Sequence, residues 1–355
     1  MSNPEIVELI VTLVKIGFIL LVIMTGVAYY TFFERKIGGW IQDRVGPNRA
    51  GPLGLLQPLA DGVKFFFKED VIPLNVDKPL YVLAPALALI PALITFAVVP
   101  FGSRIVLFGH TILLRIADVN IGLLYIFAIA SLGVYGIVLA GWASNNKYSL
   151  LGALRSSAQV ISYELSLGLS IIGILMVFET LQLNQIVIHQ GARLEWLPFL
   201  PRWGVFVQPL GFMIFLIAAF AETNRIPFDL PEGEAELVAG YHTEYGSMKF
   251  AFFFMGEYAN MITSAAVIAT LFFGGWQVPF TGFFLKFISP SWLPLLQICS
   301  FAVKTLFFAF LFIWVRWTIP RFRYDQLMSL GWKVLLPLAL ANILVTAAIY
   351  VVKYA

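Results

Sequence analysis

Long apolar stretches separated by short charged segments run along the whole chain. A helix needs about 20 mostly apolar residues to cross the hydrocarbon core of a bilayer. Stretches of about this length predict spans at about 6–32, 80–101, 121–142, 159–178, 205–221, 250–273, 292–314 and 332–352. The pattern predicts an all-α polytopic membrane protein of about eight transmembrane helices. Residues 1–355 would form a single integral membrane domain.

The segment between the first two spans has a different period. From about 54 to 69 apolar and polar residues recur on separate helical faces. The apolar face carries Leu55, Leu59, Val63, Phe66 and Phe67, and the polar face carries Gln57, Asp61, Lys64 and Lys68. Such a helix is too short to span, so we expect it to lie in the interface or against the bundle. The glycines and prolines of residues 44–54 predict turns before it.

Composition supports a lipid environment. The chain is 60% hydrophobic and 12% charged, whereas soluble domains are about 45–50% apolar and about a quarter charged. The net charge of +3 is small, and no run of basic residues reaches the length of a phosphate-binding patch. The lipid bilayer is therefore an expected partner, and nucleic acid is not.

Basic residues predict the orientation in the membrane. Fifteen of the 23 Lys and Arg residues fall in the odd-numbered loops between the predicted spans, which are loops 1, 3, 5 and 7. Basic residues concentrate on the cytoplasmic side of membrane proteins. We therefore expect these four loops in the cytoplasm and both termini in the periplasm of a bacterial inner membrane.

Several cofactor motifs are missing from the sequence. The single cysteine, Cys299, excludes a cysteine-ligated cluster in practice. The three histidines lie between the predicted spans, which disfavours a haem held between helices, and no glycine-rich phosphate loop appears. We expect no FMN, haem or iron–sulfur cluster in this chain, and no metal site.

Carboxylates within the spans are the positive chemical signal. Glu164 and Glu257 lie about 8 Å and about 10 Å inside their predicted spans, at 1.5 Å per residue. Glu222 ends the fifth span at a similar depth. Buried ionisable groups are costly and are functional candidates by default. The alternative is structural pairing with a neighbouring Ser, Tyr or Arg. Lys304, inside the seventh span, raises the same question.

Loop 5, residues 222–247, is the most acidic segment. Arg225 is its single Lys or Arg residue. Its acids are Glu222, Asp229, Glu232, Glu234, Glu236 and Glu244. A solvated loop is the alternative, but the apolar, proline-set residues 226–231 argue against one. Crowded carboxylates raise one another's pKa, which suits proton exchange near neutral pH.

Four strings in these loops carry a resemblance to a known family. They are ERK at 34–36, RVGPNRAGPLGLLQPLADGVK at 44–64, ETNRIPFDLPEGEAELVAGYHTEY at 222–245 and RFRYDQL at 321–327. The chain resembles, over nearly its whole length, the H subunits of bacterial NADH-quinone oxidoreductase, which form the subunit 1 family of respiratory complex I. The two long strings are specific to that resemblance.

The resemblance implies a place at the junction of the membrane arm and the peripheral arm, with subunits of both arms as partners. Quinone, as ubiquinone or menaquinone, would be the substrate, and catalysis would need the whole complex. The first span, the loop 1 helix and the sixth span match the quinone portal. The matching portal residues are Glu34, Arg35, Lys36, Arg44, Arg49, Gln57, Asp61, Lys64, Phe66 and Phe67.

The acids match a second element of the family, an acidic route toward other membrane subunits. Its proton-coupling residues here would be Glu164, Glu222, Asp229, Glu232, Glu234, Glu236 and Glu257. Residues expected to pair within or beside these loops are Arg225, Tyr241, His242, Arg321, Arg323 and Asp325. Some members carry another Glu in the third span where this chain has Ser131, which argues against a route of four carboxylates here.

The function expected is quinone binding and the coupling of quinone reduction to proton pumping. One alternative is the equivalent subunit of a membrane-bound hydrogenase or of an oxidoreductase with another electron donor. A second, of a different class, is a stand-alone ion-coupled transporter that uses Glu164, Glu257 and Lys304. The portal basic residues have a plainer alternative too, because juxtamembrane Arg and Lys bind lipid phosphates.

Overall fold

Helices dominate the computed structural model, which describes residues 4–107, 110–194, 200–229, 238–279 and 292–354. The elements are α1 (Pro4–Ile41), α2 (Gln57–Phe67), α3 (Lys78–Thr95), β1 (Arg104–Leu107), β2 (His110–Leu113), α4 (Gly122–Ala143), α5 (Lys147–Phe178), α6 (Leu183–Gln190), α7 (Gly204–Val207), α8 (Pro209–Glu222), α9 (Ser247–Phe272), α10 (Leu293–Thr318), α11 (Tyr324–Ser329), a π-helical segment (Leu330–Leu335) and α12 (Leu336–Tyr354). Short 3-10 turns lie at Pro52–Gly54, Phe96–Val98 and Gly240–His242.

The predicted class, an all-α polytopic membrane protein, is confirmed. Within the described ranges, seven helices are long and apolar enough to cross a membrane. Several extend beyond the predicted spans. Helix α5 begins at Lys147, not at about 159, because Asn146 caps it by accepting a 2.9 Å hydrogen bond from the Tyr148 amide. The small β1–β2 hairpin, with Arg104 opposite Leu113, was not predicted.

The fifth predicted span coincides with two short helices. Helix α8 is 14 residues long, or about 21 Å, which is less than the hydrocarbon thickness. Helix α7 precedes it, and the backbone breaks at Gln208 (φ −134°, ψ 62°) before Pro209. The Gln208 side chain bonds Asn342 and Thr346 of α12 at 3.0 and 2.9 Å. Broken helices are tolerated at membrane depth when protein surrounds them. An eighth crossing stays a prediction.

The loop 1 helix forms, with different ends. Helix α2 begins at Gln57 because Pro52–Gly54 makes a 3-10 turn. Gly54 has φ +86°, and a Cβ there would lie 2.3 Å from the Pro47 carbonyl oxygen, so this turn requires glycine. The helix ends at Phe67, where Lys68 becomes extended. No residue of α2 is buried within this chain.

Small residues bring α3, α4 and α9 together. A Cβ on Gly136 would lie 2.7 Å from the Ala88 amide nitrogen, and one on Gly256 would lie 3.0 Å from the Ala88 carbonyl oxygen. Ala88 of α3 is therefore held between a glycine of α4 and a glycine of α9. Membrane helices approach closely where such small residues meet. This contact places Glu257, the residue after Gly256, against α3 and α4.

Candidate functional site

A cavity of about 50 Å³ lies inside the bundle and has room for a few water molecules. Residues of helices α3, α4, α5, α8 and α9 and of loop 5 line it. Its polar lining consists of Ser131, Glu164, Glu222, Thr223, Asn224, Tyr241, Glu257 and Asn260. All three carboxylates that the sequence singled out within the spans therefore meet at one space, which we call the acid cavity. The Ser131 side chain of α4 lies there too.

Glu257 is the most elaborately paired of these acids. The Tyr241 hydroxyl donates a 3.0 Å hydrogen bond to its Oε1, and Arg225 Nη2 lies 3.4 Å from its Oε2. The Arg225 guanidinium also lies over the Tyr258 ring, 4.3 Å from the ring centroid. Arg225 and Glu257 are 3% and 9% exposed, so this pair is largely removed from water. Breaking one partner of such a pair leaves a buried charge uncompensated.

Tyr258 continues the contacts toward loop 1. Its hydroxyl donates a 2.6 Å hydrogen bond to Glu34 Oε2, at the cytoplasmic end predicted for the first span. Glu34 is buried and forms an ion pair with Arg316 of α10. A chain of contacts therefore joins Glu34 to Glu257 through Tyr258 and Arg225. Arg316, assigned to loop 7 from the sequence, instead lies in the last turn of α10.

Gln159 anchors the start of loop 5 inside the bundle. Its buried amide nitrogen donates to the carbonyl oxygens of Ala221 and Phe228 at 2.9 and 2.8 Å, and to Asn224 Oδ1 at 3.2 Å. One side chain of α5 thus bonds the Ala221 carbonyl oxygen in the last turn of α8 and the Phe228 carbonyl oxygen in loop 5. These bonds fix residues 221–228 beside the acid cavity.

Loop 5 also contacts the segment before α11. Arg321 Nη2 donates a 3.1 Å hydrogen bond to Asp229 Oδ2, and the Phe322 amide donates to the Pro227 carbonyl oxygen at 3.0 Å. Asp229 is buried and paired with Arg321, unlike a residue of a solvated loop. Arg323 and Asp325 form an ion pair at the surface, where their side chains are 77% and 67% exposed. A pair so exposed to solvent contributes little to the stability of the fold.

His242 lies in an aromatic surrounding beside the cavity. The rings of Tyr241, Phe250, Phe253 and Phe254 pack around it. Burial, assisted by the positive charge of Arg225, lowers the pKa of His242 to about 3. The imidazole is therefore neutral at physiological pH and acts as a packing group.

The predicted portal residues form a separate, more exposed group on α1, the following turns and α2. Arg35 and Gln57 both donate to Asp61, at 2.7 and 3.0 Å. Lys36 Nζ donates to the Pro47 carbonyl oxygen at 3.1 Å. Exposed members of the group are Arg44, Arg49, Lys64, Phe66 and Phe67. Glu34 differs from the rest, because it points into the network that leads to the acid cavity.

Loop 5 and α9 are fastened to the end of α2. The Ser247 hydroxyl lies within hydrogen-bond distance of the Phe65 and Lys68 carbonyl oxygens, at 3.1 and 2.9 Å. Lys249 forms an ion pair with Asp70. The Tyr81 and Tyr245 rings stack at 4.2 Å beside them. The group of exposed portal residues and the acid cavity therefore belong to one connected set of elements.

Several residues of this arrangement escaped sequence reasoning. Gln159, Tyr258 and Arg316 carry central contacts, and only Gln159 offered a signal, as a lone amide in an apolar run. Conversely, Glu232, Glu234 and Glu236 lie outside the described residues, so their predicted role is not placed. Lys304 contacts the carbonyl oxygens of Gly275 and Gln277 at 2.9 and 2.6 Å, and it does not line the acid cavity.

The fold and this site define a class, that of a polytopic membrane protein with an acid-lined interior cavity. A model of the family described as NADH dehydrogenase matches residues 14–347. The first H subunit of NADH-quinone oxidoreductase in Geobacter metallireducens is 52% identical over 351 residues, with 99% of this chain and 100% of that protein covered. The second H subunit in Koribacter versatilis is 52% identical over 356 residues, covering 97% and 98%. The first H subunit in Cytophaga hutchinsonii is 52% identical over 320 residues, covering 90% and 91%. The chain belongs to the NADH dehydrogenase family, as the resemblance indicated.

Proposed function

We propose that this chain is the quinone-channel and arm-junction membrane subunit of a proton-translocating NADH:quinone oxidoreductase. Its partners would be the other membrane-arm subunits and the peripheral subunits that complete the quinone site. It would lie in a bacterial inner membrane, with loops 1, 3, 5 and 7 in the cytoplasm. The family membership and the names of its relatives support this assignment.

The observation that carries the coupling role is the chain of contacts from Glu34 to Glu257. Reduction of a quinone takes up two protons and changes the local charge. A charge change beside loop 1 acts first on Glu34 and its partner Arg316. Because Tyr258 bonds Glu34 and stacks against Arg225, the disturbance reaches the Arg225–Glu257 pair in a low-dielectric interior, where charge interactions are strong.

The portal role rests on α2 and the end of α1. An isoprenoid tail needs an apolar wall that is open to lipid. Phe66 and Phe67 are 74% and 87% exposed, which leaves their rings available to such a tail or to a peripheral subunit. The neighbouring carboxylate Asp61 is neutralised by Arg35, so the entrance carries no unpaired carboxylate at that position.

Replacement of Glu257 in the assembled complex tests the coupling role. Glu257→Gln keeps the side-chain size and removes the charge. We expect fewer protons pumped per NADH oxidised, measured in proteoliposomes. Glu179→Gln, at an exposed position just after α5, is the matched control and should leave pumping unchanged. Unchanged pumping and turnover in Glu257→Gln would show that this carboxylate has no part in coupling.

A photoreactive quinone analogue tests the portal. Labelled peptides are expected from α1 and α2. Labelling confined to the β1–β2 hairpin would exclude the proposed portal. The purified chain alone in liposomes tests the transporter alternative. A stand-alone transporter would move ions there without partner subunits, whereas the proposed subunit would not. Co-purification with hydrogenase subunits would instead point to the related oxidoreductase.

A further inference from the structure

Lys304 is a basic side chain deep inside α10, away from the acid cavity. It lies 11 residues after Leu293, where α10 begins, or about 16 Å along the axis. Phe301, Phe308 and Phe312 recur at helical spacing on the same side of α10 and are buried. Ionisable groups at such a depth are costly and are functional candidates by default.

The Lys304 ammonium reaches the backbone just beyond the end of α9. Its Nζ donates to the carbonyl oxygens of Gly275 and Gln277 at 2.9 and 2.6 Å. It also lies 5.0 Å from the centroid of the Trp203 ring. Carbonyl oxygens at a helix C-terminus carry partial negative charge, and the face of an indole ring attracts cations. These neutral groups form a site for a cation, and Lys304 fills it with a tethered one.

The backbone that binds the ammonium is itself held in place. Gly274 and Gly275 have φ angles of +71° and +50°. The Gly275 amide donates to the Ala269 carbonyl oxygen at 2.8 Å, which closes α9 with a C-terminal glycine motif. The buried Gln190 side chain of α6 donates to the Thr270 carbonyl oxygen and accepts from the Gly274 amide, both at 2.9 Å. The site for the ammonium therefore has a fixed position at the end of α9.

A second set of bonds joins α9 and α10 nearer to loop 5, through α1. Arg316 of α10 pairs with Glu34, and Tyr258 of α9 donates to the same carboxylate. Lys304 lies 12 residues before Arg316, or about 18 Å along α10. The two helices are thus connected at two levels, and Lys304 supplies the level that is farther from loop 5.

We propose that Lys304 is a positioning residue for the network that joins Glu34 to Glu257. Its ammonium sets the axial position of α10 relative to α9, so that Arg316 and Tyr258 reach the same Glu34 carboxylate. Without this anchor α10 can slide or tilt, and a displacement of about 1 Å can cost an enzyme about a hundredfold in rate. This role rests on the proposed function, because it acts through the Glu34 pair.

Chemical rescue tests the cation site. Lys304→Ala, made in the assembled complex, removes three methylene groups and the ammonium, and n-propylammonium is a free cation of that length. We expect NADH:quinone turnover to fall by roughly tenfold to a hundredfold, and n-propylammonium to restore part of it. The uncharged 1-propanol should restore none, and equal restoration by both overturns the cation site. Turnover is measured on the detergent-solubilised complex, since amines collapse proton gradients.

Lys15→Ala is the matched control. Lys15 also lies inside an apolar helix, α1, and also donates to a backbone carbonyl oxygen, that of Arg115 at 3.2 Å. We expect unchanged turnover in Lys15→Ala, and most of the wild-type turnover in Lys304→Arg, which keeps a cation. An equal loss in Lys15→Ala and Lys304→Ala overturns the positioning role.

Lys304→Met keeps most of the packing volume and removes only the charge. A cryo-electron microscopy map of this variant should show Arg316 displaced from Glu34, whereas the Lys15→Ala map should show the pair intact. An intact Arg316–Glu34 pair in Lys304→Met, or normal turnover, overturns the proposal. Failure of both Lys304→Met and Lys304→Ala to assemble also overturns it, because the lysine would then be needed for folding and not for positioning.

The coupling proposal for Glu257 fails separately, on its own variant. Normal pumping in Glu257→Gln together with a displaced Arg316 in Lys304→Met would keep the anchor and remove the coupling route. Reduced pumping in Glu257→Gln together with normal turnover in Lys304→Met would keep the coupling route and remove the anchor.

Discussion

The Tyr258 hydroxyl donates a 2.6 Å hydrogen bond to Glu34 Oε2, although the two residues are 224 positions apart in the sequence. This bond joins α9, which carries the acid cavity, to α1, whose end adjoins the portal residues. The Tyr258 ring also supports the Arg225 guanidinium. A single side chain thus contacts both halves of the proposed coupling network.

Tyr258→Phe removes only the hydroxyl. Hydrogen bonds to charged groups contribute about 1.5–3 kcal/mol, so we expect a loss of stability of about this size. Thermal unfolding of the assembled complex measures it. We also expect fewer protons pumped per NADH, since Glu34 loses its hydrogen bond to the residue whose ring supports Arg225. Tyr350→Phe on α12 is the control, and an equal effect there would show that the loss is nonspecific.

Arg225 is the only described basic side chain in ion-pair contact with Glu257. Arg225→Met leaves the carboxylate buried and uncompensated, which costs about 3–5 kcal/mol. We expect poor assembly, measured as the yield of intact complex from membranes. The double variant Arg225→Met with Glu257→Gln should recover assembly, because Glu257 then no longer leaves an unpaired charge in the interior. If the double variant assembles no better than the single one, the pairing is not what Arg225 supplies.

Gln159→Leu removes the amide that satisfies three oxygens of residues 221–228. Each buried acceptor left unsatisfied costs about 1–3 kcal/mol. We expect faster proteolytic cleavage in loop 5, followed by mass spectrometry of the fragments. Gln182→Leu deletes a more exposed hydrogen bond, to Asp118 at 2.7 Å, and serves for comparison. Equal cleavage rates in the two variants would contradict the anchoring role.

His242 makes stability depend on pH. Its pKa falls to about 3 in the folded protein, against 6.5 for an unperturbed imidazole. The unfolded chain therefore binds a proton first as pH falls, and the stabilisation present above pH 6.5 is progressively lost below it. At pH 5 the loss amounts to about 2 kcal/mol.

Unfolding temperatures at pH 7 and pH 5 measure this effect. His242→Phe keeps an aromatic ring among Phe250, Phe253 and Phe254 but cannot take up a proton. Its unfolding temperature should fall less between the two pH values than that of the wild type. Equal pH dependence in both proteins would show that other groups account for the loss.

Much of the architecture could be predicted from hydrophobic periodicity. Apolar runs located the long helices, and the amphipathic pattern located α2 within a few residues. The ends were less predictable, because they depend on local bonds such as the Asn146 cap of α5 and the turn at Gly54. The break at Gln208 was also hidden, since Val207 and Leu210 continue the apolar run on either side of it.

The sequence predicted the acidic residues of the site but not the residues that bond to them. Carboxylates in apolar runs are conspicuous because burying them is costly. The partners of those acids were not conspicuous. Tyr258 resembles any other aromatic of a membrane helix, and Arg316 resembles any other basic residue near a helix end. Only the three-dimensional packing of α1, α9 and α10 brings both onto Glu34.

The contact of Ala88 with Gly136 and Gly256 has a consequence for how this protein can vary. Both glycines meet the backbone of Ala88, so α3 comes very close to α4 at Gly136 and to α9 at Gly256. The spacing of three helices that line the acid cavity therefore depends on the lack of a side chain at two positions. A methyl group added at either glycine would push its helix away from α3, and would change how much water the acids share without altering any acid.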